Sequence, residues 1–169
     1  MFRLRCHLVV SVLLLAFAGC RDAGKTDAIA PAAPVDPVVQ LRSEGRDLFN
    51  ARCIVCHQLD GRGLPGAYPP LAGSPWLLDA DSKERATKIV LYGLAGHIEI
   101  HGLRFDGDMP NFNLTDRQIA GALTYVRSSW SNSAPPVDEA FVAAIRAKCG
   151  VRGPWTPYEI QAQHPLRAK

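Results

Sequence analysis

Cys53, Ile54, Val55, Cys56 and His57 place two thiols three positions apart and an imidazole directly after the second. Thiols at that separation can both add to the vinyl groups along one porphyrin edge. The next residue then falls beneath the iron, where a neutral imidazole is a strong ligand. The pattern therefore points to one covalently attached haem c, with Cys53 and Cys56 in thioether links and His57 as an axial ligand to iron. A structural zinc site would need a second ligand pair at similar spacing, and the sequence has none. A thioredoxin-like redox pair would sit in alternating strand and helix patterns. Here the flanks read as helix up to Cys53 and loop after it. A disulfide across this spacing would close a tight, strained loop.

The second axial ligand is nominated by elimination. Apart from the initiator the chain has one methionine, Met109, between Asp108 and Pro110 in a turn-like stretch rather than in an apolar helical run. His97 and His101, in a glycine-containing loop, are the rivals. A thioether ligand stabilises ferrous iron and raises the potential relative to two imidazoles, which suits an electron carrier.

These residues, with Asp60 to Gly63, Tyr68 to Gly73, Met109 to Phe112 and the helix ending Tyr125, Val126, Arg127, resemble class I monohaem cytochromes c over roughly residues 40–133. The resemblance implies an all-α fold of three main helices with irregular loops around one haem. It implies that a proline carbonyl, from Pro69 or Pro70, orients the ligand imidazole by accepting from its other nitrogen. It also implies a crossing of the first and last helices at a small residue and aromatics, matched here by Gly45, Phe49 and Tyr125. Such proteins pass single electrons between redox partners, and similar domains occur in electron-accepting subunits of periplasmic dehydrogenases. With both axial positions filled, catalysis on a small substrate is not expected. A fixed subunit of a dehydrogenase, oxidase or nitrite reductase is the alternative role, and a haem-based ligand sensor or catalyst with a labile Met109 is another.

The elements that must position the motif are legible from local signals. Asp36 and Pro37 supply a cap and a first-turn proline for a helix running through Gly45 and Phe49 to the haem motif. Glycine and proline dominate residues 61–75, predicting irregular backbone around the cofactor. A helix is expected from Ser82 to about Tyr92, with Glu84, Arg85 and Lys88 outward and Ile89 inward. Thr115 and Gln118 form a capping box, with Leu114 and Ile119 as its staple, for a helix burying Ile119, Leu123, Val126 and Trp130. No alternating strand pattern of five residues stands out.

A linker from Ser131 to Pro136 leads into a helical extension over residues 134–169, with a short amphipathic helix capped by Asp138 and stopped near Gly150, and a last turn opened by Thr156, Pro157 and Glu159. It reads either as packing on the domain's own surface or as a docking element anchored by Trp155. Cys149 lies on the longer of its two helices as a small, partly buried residue.

At the other end, residues 1–19 carry Arg3 and Arg5, no acid, and an apolar run from Leu8 to Ala18, the pattern of a bacterial export signal. Phe17, Ala18, Gly19, Cys20 resembles a lipoprotein signal, with Cys20 as the lipid attachment site after cleavage. Ordinary cleavage near Gly19 is the alternative. Residues 20–36 then form a flexible tether rich in Ala and Pro, and residues 37–133 the haem domain. The expected location is the periplasm, with the membrane reached through the lipid.

Charge argues against nucleic acid as a partner. The formal net charge is +3, but losing Arg3 and Arg5 with the signal lowers it to +1, and no basic cluster with interleaved aromatics is present. Arg104, Arg127 and Trp76 are the candidates for neutralising haem propionates.

Overall fold

The computed structural model describes residues 35–166. The expected export signal, Cys20 and most of the tether lie outside the described residues. Asp36 caps the first helix, its carboxylate accepting from the amides of Val38 at 2.7 Å and Val39 at 3.4 Å. That helix, α1 (Pro37–Arg52), hands over at Cys53 to the single turn α2 (Ile54–His57). Next come α3 (Pro75–Leu78) and α4 (Ser82–Tyr92). A small antiparallel hairpin follows, β1 (Ile98–Ile100) and β2 (Leu103–Phe105), pairing Ile98 with Phe105. Then α5 (Asp116–Arg127), α6 (Glu139–Cys149) and α7 (Pro157–Gln163) complete a mostly helical chain. The hairpin was not anticipated. Its strands have three residues each, too short for a readable alternation.

The capping chemistry is as the sequence predicted. Thr115 and Gln118 close a reciprocal capping box on α5, Thr156 and Glu159 do the same on α7, and Asp138 accepts from the Phe141 amide at 2.8 Å. Gly150 ends α6 at φ +64°.

The central contact is the crossing of α1 and α5. A Cβ on Gly45 would lie 1.9 Å from the Gly121 carbonyl oxygen, so the two backbones touch where neither residue has a side chain. Gly45 was anticipated, and Gly121 is its unanticipated counterpart. Beside the crossing, Phe49, Tyr125 and Trp130 form a mutual aromatic cluster with centroids 5.3 to 5.7 Å apart.

Two expectations need correction. Trp130 is not on α5, which stops at Arg127; it follows in left-handed backbone (φ +52°) and packs back on Phe49 from outside the helix. On α4, Arg85 and Lys88 are not outward but 0 and 2 % exposed, Glu84 is half-buried, and Ile89 lies on the haem side. The reason is the C-terminal extension, which covers the polar face of α4. Arg85 pairs with Asp79 at 2.6 Å and donates to the carbonyls of Trp76, Pro75 and His164. Lys88 bonds Gln163 at 2.8 Å, meets the His164 ring nitrogen at 2.7 Å and pairs with Glu84 at 2.9 Å. Buried charges persist only when paired and hydrogen-bonded; Asp79 and Glu84 pair with the two cations, and Gln163 and His164 of the extension take further donors. Trp155 is 4 % exposed and so packs on this chain's own surface rather than standing free as an anchor.

Gly45→Val should cost about 2–3 kcal/mol or more in denaturant unfolding, because the new side chain must push two helix backbones apart. A second expectation concerns pH. Burial, and next the Lys88 charge, hold His164 below its ordinary value of 6.5, while Glu84 pulls the other way; Arg85 and Asp81 also face it. The unfolded chain thus takes up a proton that the folded chain refuses, so stability falls as pH drops below about 6.5 and the loss levels off only below the folded value. Unfolding free energies of His164→Gln and the parent chain should converge in acid and diverge toward neutral pH.

Candidate haem site

The site begins with a helix junction. Cys53 ends α1, its amide bonding the Phe49 carbonyl at 2.9 Å, and its own carbonyl accepts from the His57 amide at 2.9 Å. Helical backbone through this stretch puts residues three and four apart on one face. Cys53, Cys56 and His57 accordingly all line one cavity, with Val55 left outward at 76 % exposure. The turn breaks at Gln58, where φ is +60°.

His57 is 9 % exposed, and its Nδ1 lies 3.0 Å from the Pro69 carbonyl oxygen. A carbonyl can only accept, so Nδ1 carries the proton and Nε2 keeps the lone pair that a metal needs. Burial pushes the imidazole below its ordinary value and so favours the neutral form, against the opposing pull of that carbonyl, which favours the protonated one. Of the two prolines nominated, Pro69 makes this contact. Pro70 lines the cavity without it. The carbonyl can come so close because Gly63, at φ +66°, leaves room: a Cβ there would lie 2.6 Å from the Pro69 oxygen.

Loop 58–73 is braced from α5 outward. The Trp130 indole donates to the Leu59 carbonyl at 3.0 Å, and its ring covers Gly61, where a Cβ would sit 2.6 Å from it. Asn132 donates to Leu71 and Val126 carbonyls at 3.0 and 2.7 Å and accepts from the Gly73 amide at 2.8 Å. Asn132 was missed by sequence reasoning. A single polar residue in a predicted linker carries no periodic signal.

Met109 lies half-buried in the wall of the same cavity as His57. Its amide and carbonyl both bond Leu94, each at 2.9 Å. The rivals are placed elsewhere: His97 and His101 are exposed, and His101 occupies the hairpin turn at φ +52°.

The residues present fit a haem. The lining is overwhelmingly apolar, with Leu94, Ile98, Ile100, Leu123 and Val126 among its walls, as a porphyrin face requires. The free thiols of Cys53 and Cys56 border it, and burial raises that of Cys53 to about 11, so it is a neutral thiol rather than a thiolate at neutral pH. Trp76 contributes to the wall, and its indole Nε1 is buried without a protein partner, a donor available to a propionate. Trp76 is thus the propionate candidate that lines the site. Arg127 is buried elsewhere, donating to the Leu77 carbonyl and Ser82 hydroxyl at 2.7 Å each, and Arg104 is exposed and paired with Asp106 at 2.8 Å. Among the described residues, no group of three or more His, Cys, Asp or Glu is arranged to hold a bare metal ion.

Known proteins resemble this sequence. The cytochrome c family model matches residues 43–130. Cytochrome c-552 of Thermus thermophilus is 33 % identical over 130 residues, spanning 72 % of this chain and 95 % of that protein. The cytochrome c subunit of a quinone alcohol dehydrogenase from Gluconobacter oxydans is 29 % identical over 93 residues, 54 % of this chain and 19 % of that subunit. A fructose dehydrogenase cytochrome subunit from Gluconobacter japonicus is 33 % identical over 109 residues, 62 % of this chain and 22 % of that subunit. The thiol pair, the buried imidazole and the apolar cavity are therefore those of an electron-transfer protein with covalently bound haem c, and the chain belongs to the cytochrome c family.

Proposed function

We propose that the chain is an exported, lipid-anchored monohaem cytochrome that passes single electrons between redox proteins, with His57 and Met109 as the iron's axial ligands. The observation that carries the ligand assignment is that His57 and Met109 line one cavity while His97 and His101 are exposed. The haem, when bound, supplies a one-electron ferrous/ferric couple. The chain's residues do the rest. Cys53 and Cys56 tie the porphyrin covalently, and the Pro69 carbonyl holds the His57 ring in the tautomer that leaves Nε2 free. Met109 offers a neutral sulfur, so neither ligand brings a negative charge into the apolar cavity. That favours the reduced form over anionic ligation. Were His57 and Met109 both to ligate the iron, no coordination site would be left for a substrate, as a carrier rather than a catalyst requires.

Export and anchoring rest on the Arg3 and Arg5 flank, the apolar run to Ala18 and Cys20. Each acyl methylene buried in lipid contributes about 0.8 kcal/mol, so two or three chains hold the protein stably. The electron partners proposed are a periplasmic dehydrogenase as donor and a terminal oxidase or reductase as acceptor. The relatives that are dehydrogenase cytochrome subunits support the first of these. Service as a fixed subunit of such a complex is the second reading, favoured by the same relatives.

The decisive measurement is the oxidised absorption spectrum of the holoprotein. A weak band at about 695 nm, as methionine ligation produces in this family, should be present in the parent chain and lost in Met109→Ala. The variant's midpoint potential should also fall by about 60 mV or more, a tenfold shift in the one-electron equilibrium. Retention of the band in Met109→Ala sinks the ligand assignment, and rapid carbon monoxide binding by the reduced parent chain would favour a sensor instead. For the anchor, Cys20→Ala should move the protein from the membrane fraction into the soluble periplasmic extract. A parent chain already soluble there would rule out lipid attachment.

A further inference from the structure

The Met109 backbone has its amide and carbonyl both committed to Leu94. On its other side, the segment holding Leu94 is bonded to the C-terminal extension: the Trp155 amide donates to the Gly93 carbonyl at 3.1 Å, and the Ala95 amide donates to the Trp155 carbonyl at 2.8 Å. Leu94 is thus the middle rung of a three-chain patch, antiparallel to Met109 and parallel to Trp155. We propose that Trp155 and the extension that carries it are positioning elements for Met109, setting how firmly its sulfur is held toward the iron. The inference rests on the reading of Met109 as the axial ligand.

Three observations give the extension the stiffness this role needs. Trp155 is buried and clamped between cations, with the Arg152 guanidinium 3.2 Å from the ring centroid and the Lys88 ammonium at 5.3 Å. The following helix is tied to α4 through Lys88 and Arg85 and buries Ile160 completely. Pro157 lies against Gly96, 3.3 Å from where a Cβ would be, and the Gly96 amide donates to the Asp108 carboxylate, one residue before Met109, at 2.8 Å. The extension therefore grips both ends of the segment that holds the methionine loop. The close approach at Gly93, where a Cβ would lie 2.5 Å from the Met109 carbonyl oxygen, leaves little slack between strap and ligand loop. A strand with partners on both sides opens less readily than an edge strand, so loss of the outer partner converts Leu94 from an interior rung to an edge.

The test uses full-length holoprotein and follows two signals on heating, the band at about 695 nm and the far-ultraviolet helix signal. In Trp155→Ala the band should disappear at a lower temperature than in the parent chain, with a shift larger than that of helix unfolding. Carbon monoxide should bind the reduced variant at least tenfold faster at room temperature. Trp155→Phe, which keeps a buried ring and the same backbone bonds, should restore both. Arg152→Ala, which leaves Trp155 in place and removes one clamping cation, should shift the band in the same direction by less. It keeps the test open should Trp155→Ala fail to fold. Parallel shifts of band and helix signal in both variants, with carbon monoxide binding unchanged, would overturn the inference and leave the Met109 assignment standing. Survival of the band in Met109→Ala would overturn the assignment itself.

Discussion

The close crossing of α1 and α5 at Gly45 and Gly121 is the constraint on which the rest of the molecule depends. Because the two backbones touch, Phe49 and Tyr125 meet immediately beside the crossing, and Trp130 closes the cluster from beyond the end of α5. That cluster does more than bury apolar area. Through the Trp130 indole bond to Leu59 and its ring over Gly61, it fixes the loop that follows the haem motif, and the same loop delivers the Pro69 carbonyl to His57. A chain of rigid contacts therefore runs from two glycines to the tautomer of one imidazole.

A second theme is the burial of charge away from the cofactor. Arg85, Lys88 and Arg127 are all buried, yet their donors are spent on backbone carbonyls, Asp79, Glu84 and the C-terminal helix. Leaving any of these cations unpaired would cost several kcal/mol, so the partners are as necessary as the cations. The consequence is a polar seam joining α3, α4 and the extension on one side of α4. The other side, with Ile89 and Val90, faces an almost wholly apolar cavity. Keeping the two apart suits an electron carrier. Fixed charges close to a redox centre shift its potential, and a wall that is mostly apolar, with Arg52 and Asp108 as its charged residues, limits that effect.

Much of this was legible in the residues. The Cys53, Cys56, His57 spacing needs only one helical turn to converge, so local backbone geometry suffices to bring it together. Helix caps at Asp36, Thr115, Asp138 and Thr156 are equally local, each joining residues two or three apart, and each forms as expected. The outward face assigned to α4 failed for a corresponding reason. A row of Glu, Arg and Lys reads as a solvated face unless something distant covers it, and the cover lies 75 to 79 residues further on. Trp130 failed likewise: its spacing fits a helix, but the chain leaves the helix before reaching it and turns the ring back.

What the sequence determined by itself was the cofactor and its attachment, because covalent attachment depends on residue type and short-range spacing; a lone methionine in a turn nominated Met109 without deciding between it and His97 or His101. Tertiary structure decided which proline carbonyl faces His57, which propionate candidate lines the cavity, and that Leu94 links the Met109 loop to Trp155. Those outcomes depend on which distant backbones approach within hydrogen-bonding distance. That is settled by the summed packing of helices, glycine contacts and buried ion pairs, which no single stretch of residues contains.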